Sequence, residues 1–156
     1  MFEEIKTILI AMSPLLELRG AIPVALFQYH LNPFSAFFFS VLGNMIPCFF
    51  LLLYLEKFSE YFSSKSRLFK KVINWFFERT RRKHGEKFNK SKELALMLFV
   101  AIPLPVTGAW TGSVCAFLFD IPFSRALPMI FLGVVIAGII VTLFSLGIIN
   151  FNNFVL

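Results

Sequence analysis

Residues 5–31 read IKTILIAMSPLLELRGAIPVALFQYHL. Two short apolar pieces flank Glu17-Leu18-Arg19-Gly20, a charged break in an otherwise oily segment. A helix of about twelve residues is about 18 Å long, whereas a bilayer's hydrocarbon core is about 30 Å thick. Neither piece crosses alone. The pattern suits a re-entrant helical hairpin that enters and leaves on one face. Broken backbone at that depth persists only where protein or a wet cavity covers it.

The rest of the chain repeats the theme. Pro33 to Leu55 is continuously apolar and long enough to span. Leu94 to Phe119 is again apolar but interrupted, by Pro103-Leu104-Pro105-Val106-Thr107-Gly108. Pro122 to Ile149 is a second continuous span. The halves align: Arg19-Gly20-Ala21 over Thr107-Gly108-Ala109, Pro33-Phe34-Ser35 over Pro122-Phe123-Ser124, and Leu42-Gly43 over Leu132-Gly133. A hairpin plus one span crosses the membrane an odd number of times, so the second copy starts on the opposite face. The expected fold is an all-α integral membrane domain over residues 1–156. Its repeat halves, 5–55 and 94–149, form an inverted repeat of two re-entrant hairpins and two long transmembrane helices. The hairpin tips meet near the midplane, as in transporters with discontinuous helices.

Composition agrees. Of 156 residues, 58% are apolar and only 15% charged, where a soluble domain carries about a quarter charged. Mean hydropathy is +0.77. The N-terminus, Met1-Phe2-Glu3-Glu4-Ile5-Lys6, lacks a signal peptide's basic start, so the first apolar stretch reads as mature protein. Residues 56–93 hold twelve Lys and Arg against five acids. Such short basic loops stay in the cytoplasm, which accounts for the positive charge without a nucleic-acid partner. Phe69, Val72, Ile73 and Phe76 share one helical face there, so the linker reads as a basic amphipathic helix lying on anionic headgroups.

Glu17 and Arg19 are the sharpest functional signal, because charges inside an apolar segment are costly and mostly functional. Gly20 permits the tight break, and Pro23 suits the first turn of a departing helix. That helix N-terminus beside Arg19 would form an anion pocket for phosphate or carboxylate. The second tip offers Pro103 and Pro105, which free backbone carbonyls, with Gly108 for the break. Thr107 and Thr111 add donors, and Trp110 presents a broad face to an apolar substrate part. Pro47 and Pro128 are expected to kink the spans, and Gly133 with Ala137 to pack closely. Cys48, Cys115, His30 and His84 are isolated, so no metal or other cofactor is expected.

The stretches Glu17-Leu18-Arg19-Gly20-Ala21-Ile22-Pro23 and Pro103-Leu104-Pro105-Val106-Thr107-Gly108-Ala109-Trp110-Thr111-Gly112 resemble the two signature motifs of the small multidrug export protein family, a distant relative of the DedA/VTT membrane proteins. The resemblance covers essentially the whole chain. It implies a bacterial or archaeal inner-membrane protein with paired re-entrant hairpins. DedA/VTT relatives are associated with lipid-carrier translocation and lipid scrambling. Their several arginines around the second hairpin are reduced here to Arg125.

The leading expectation is therefore a transporter or lipid-phosphate translocase. It would bind an anionic or amphiphilic substrate between the hairpin tips, proton-coupled through Glu17. Membrane lipids, including phosphate-headed ones, are the expected partners, and so small a chain is expected to form a homodimer. One alternative has all four segments spanning, as in small four-helix multidrug exporters. Another is a membrane assembly protein that transports nothing. An enzyme is not expected, since a lipid-pyrophosphate phosphatase needs several clustered acids or a His nucleophile.

Overall fold

The computed structural model describes residues 2–65, 86–104 and 107–155. Among them are six helices and no strand: α1 (Phe2–Met12), α2 (Glu17–Phe27), α3 (Pro33–Lys65), α4 (Glu86–Ala101), α5 (Ala109–Leu118) and α6 (Phe123–Val155). The hydrophobic face of the linker, and Pro105 and Val106 at the second tip, lie outside the described residues.

Each broken segment folds back on itself. Lys6 in α1 sits over the ring of Tyr29, 5.3 Å from its centroid, so the first half of α1 lies beside the exit of α2. Lys92 in α4 likewise donates to the Phe119 carbonyl at the exit of α5, at 3.2 Å. Both pairs are therefore antiparallel hairpins. Each hairpin leaves through a left-handed residue, His30 (φ 51°) in the first half and Asp120 (φ 55°) in the second. The next helix then starts at Pro33 in the first half and directly after Pro122 in the second. Asn32 accepts the Ser35 N–H at 2.7 Å and caps α3, with Pro33 in the first position, where a missing N–H costs nothing.

The long helices α3 and α6 run antiparallel. Phe49 and Phe123 pack edge to face, with centroids 5.5 Å apart, while Phe37 near the other end of α3 lies against Gly138. Their apolar portions, Pro33–Leu55 and Phe123–Ile148, hold 23 and 26 residues. At 1.5 Å per residue these are about 35 and 39 Å long, enough to cross a core of about 30 Å. Most of their surface faces outward, including Phe34, Phe50, Leu143 and Phe144, all more than 60% exposed. So much exposed aromatic and aliphatic surface suits lipid and not water.

The two halves pack alike. Gly43 on α3 lies against α1, and a Cβ there would stand 2.5 Å from the Ile8 carbonyl and 2.9 Å from the Ala11 Cβ. Gly133 on α6 lies against α4, where a Cβ would stand 2.7 Å from the Met97 carbonyl and 2.7 Å from the Val100 Cβ. The aligned Leu42-Gly43 and Leu132-Gly133 thus do the same task, bringing each hairpin's first arm against its own long helix. The second arms also cross over: α2 packs on α6, and α5 packs on α3. Leu18, Ile22, Val100, Ile130 and Val134 fill the shared core. Ala137 is buried as expected, and both long helices run through their internal prolines, Pro47 and Pro128.

Candidate functional site

The first tip is the turn Ser13–Leu16, closed by Ser13 and Leu16 carbonyls that accept from Glu17 N (3.0 Å) and Gly20 N (2.9 Å). Helix α2 already begins at Glu17, which adopts φ 50°. A left-handed glutamate costs about 1–3 kcal/mol and persists only where its surroundings hold it. This corrects the expectation that Gly20 makes the break. Gly20 lies inside α2, and Pro23 is an interior residue, not a first-turn one. Because the left-handed turn falls at Glu17, the helix starts six residues before Pro23. The pocket expected at a helix N-terminus beginning after Gly20 is therefore not formed there.

What holds Glu17 comes from the other half. Its Oε1 accepts the Trp110 N–H at 3.3 Å, and the Ala109 amide bears on the same carboxylate. These are the first amides of α5, whose N-cap is Gly108. A serine or aspartate at that position normally supplies a capping oxygen; glycine has none. Thr111 performs one half of a capping box, accepting the Gly108 N–H at 2.9 Å. Glu17 supplies the other half from a different hairpin. The carboxylate lies so close to Gly108 that a Cβ there would overlap both its oxygens.

Arg19 does the complementary task at the end of α4. Its Nη1 donates to the Leu104 carbonyl, and its Nη2 donates to the Ile102 carbonyl at 3.4 Å and to Thr107 Oγ1 at 3.3 Å. Thr107 Oγ1 also lies 2.8 Å from the Ile102 carbonyl and 2.9 Å from that of Leu104. A cation thus sits on a helix C-terminus and an anion on a helix N-terminus, each matching its dipole end. One Glu-x-Arg triplet spans the whole break of the opposite hairpin.

A cavity of about 370 Å³ lies between the tips, lined by Glu17, Arg19, Gly20, Pro103, Thr107 and Thr111 among others. The Arg19 Nε–H is buried there without a partner. The structure therefore brings together six of the expected residues around one space, with Gly108 directly against Glu17. It does not bring Pro23 there. Trp110 contributes only its backbone; its side chain lines a separate cavity against α3. Pro105 lies outside the described residues. Among these residues no group of three or more His, Cys, Asp or Glu side chains is placed to hold a metal.

Two buried polar residues escaped the sequence reading. Ser40 and Asn44 on α3 are both 0% exposed, and Ser40 Oγ and both amide atoms of Asn44 lack partners. Their signal was present: polar side chains four apart within a continuous apolar span. The aligned residues on α6, Ile130 and Val134, are apolar. Asn44→Leu is expected to raise the unfolding midpoint in detergent, because an orphaned buried polar group costs about 1–3 kcal/mol. A lower midpoint in thermal unfolding would show that the amide has a partner.

Residues 17–140 match the family described as "Putative small multi-drug export protein". No curated protein matches, and no solved structure matches.

Proposed function

The chain belongs to the small multidrug export family, and from that premise we propose that it is a membrane transporter. It carries an anionic amphiphile, a phosphate-headed lipid being the first candidate, through the cavity between the hairpin tips. The observation that carries this reading is the meeting of both broken segments around the unpartnered Arg19 Nε–H. In this reading the hairpins re-enter from opposite faces and the halves form an inverted repeat. Antiparallel hairpins, antiparallel long helices and touching tips support it. They favour it over four full spans, which would extend each hairpin into one crossing.

The chemistry follows from what the two charges already hold. Arg19 is bound by neutral carbonyls. A phosphate or carboxylate brings a full negative charge and a pair of oxygens that match the guanidinium fork, and so competes for the same guanidinium. Glu17 holds the N-terminus of α5 as an anion. Once protonated it loses most of its attraction for that dipole end, so a proton there loosens the contact between tips. Substrate at Arg19 and a proton at Glu17 therefore act on one latch. The kinship with DedA/VTT proteins that the motifs suggest points to the same class of amphiphile. No covalent step is involved.

The test is reconstitution in liposomes with a fluorescent phosphate-headed lipid and an imposed pH gradient. Wild-type protein is expected to move the lipid between leaflets and to respond to the gradient, and Glu17→Gln to lose that response. Movement of cationic drugs in exchange for protons, with no movement of the lipid, would replace this reading with a small multidrug exporter.

A further inference from the structure

A second cavity, of about 490 Å³, shares no lining residue with the tip cavity among the described residues. Its floor is the half of α3 after Pro47, including Phe50, Leu53 and Tyr54. Trp110 closes one side and Lys57 stands at the rim. From Pro47 to Lys57 the helix rises about 15 Å, roughly half a hydrocarbon core. The groove therefore runs from mid-depth to the headgroup level, on the side where the basic linker leaves α3.

Two features keep this from being only an oily furrow. The Trp110 indole N–H is buried and has no acceptor, an arrangement that costs free energy until an oxygen meets it. Lys57, exposed at the end of the span, places a cation where a lipid headgroup would lie. Wall, donor and cation match the three parts of an anionic phospholipid. The chain lies on Phe50 and Tyr54, an ester oxygen accepts from the indole once the ring turns its buried N–H toward the groove, and the phosphate pairs with Lys57. Trp110 also joins this groove to the tips, because its backbone N–H holds Glu17.

We infer that this groove binds one phosphate-headed lipid, taken from the leaflet on the side of the basic linker. The site rests on the transport reading only for its purpose, as the place where substrate waits beside the tips.

The test uses the two tryptophans, Trp75 and Trp110. In a Trp75→Phe background, Trp110 fluorescence is measured in bilayers doped with chain-brominated phosphatidic acid or, at equal mole fraction, chain-brominated phosphatidylcholine. Contact with bromine quenches the indole. One lysine near an anionic headgroup corresponds to a preference of about fivefold, so phosphatidic acid is expected to quench at about fivefold lower mole fraction. Lys57→Gln is expected to make the two lipids equal. Equal quenching in the Lys57 protein, or a preference that survives Lys57→Gln, overturns the site. Loss of the preference on adding inorganic phosphate also overturns it, showing a site for the free anion. Transport measured on the same vesicles separates the two readings: a Lys57-dependent preference without lipid movement keeps the groove and removes the proposed function.

Discussion

Arg19→Ala is expected to abolish substrate movement in liposomes and to lower the unfolding midpoint in detergent. The guanidinium holds the Ile102 and Leu104 carbonyls at the end of α4, together with the Thr107 hydroxyl. Without it, the two carbonyls keep only neutral donors, the Leu104 and Thr107 amides and the shared Thr107 hydroxyl. What is lost is the charged donor, and hydrogen bonds to charged groups contribute about 1.5–3 kcal/mol. The functional loss is larger than the loss of stability, because the cavity also loses its cation and the unpartnered Nε–H. Arg19→Lys separates the two effects. A single ammonium keeps the charge but cannot fork across two carbonyls and a hydroxyl. It should therefore retain part of the binding and little of the tip geometry. Full transport by Arg19→Ala protein in the same assay would remove Arg19 from the mechanism.

Gly108→Val is expected to be at least as damaging, through shape alone. Its backbone, at φ −168° and ψ −169°, is extended and open to any residue, so no conformational strain is introduced. The conflict is with the Glu17 carboxylate, which occupies the space a Cβ would take. Displacing it removes the cap of α5, worth about 0.5–2 kcal/mol, and strands a charge among apolar groups. Overpacking adds about 1–3 kcal/mol. A double-mutant cycle tests the cause. Glu17→Ala empties the space, so Glu17→Ala/Gly108→Ala should be much less destabilised than the sum of its single variants. Additive losses in unfolding free energy would mean that the two residues do not oppose each other.

Much of this was legible in the chain itself. The apolar runs and their polar breaks announced two hairpins and two long helices, because oil-facing helices leave few other options for polar backbone. Glu17 and Arg19 stood out because the other charge in their segment, Lys6, lies at its edge and theirs lie in the middle. The partners of these charges were less legible. Arg19 meets Leu104 and Glu17 meets Trp110, contacts 85 and 93 residues apart in the chain. Spacing within one motif carries no trace of them. The start of α2 was misplaced for a related reason. Glycine is the usual left-handed residue, and Gly20 was at hand. Here tertiary contacts impose that conformation on Glu17, a residue that would not choose it. Trp110 was read by its ring alone, whereas its amide reaches the tip and its ring faces away. Ser40 and Asn44 were passed over because the hydropathy of the whole span outweighs two polar side chains.

The crossing of second arms bears on how the protein is made. When α1 to α3 have left the ribosome, Glu17 and Arg19 are already in place, but residues 102–110 have yet to be synthesised. A strained glutamate and an arginine then sit in a half-finished bundle with neither of the helix ends they are shaped to close. Domains generally fold in order of emergence, yet this first half cannot settle without the second. In the unfinished protein the same triplet is an acid and a base with only each other for company, until the last hairpin arrives with the helix ends they close.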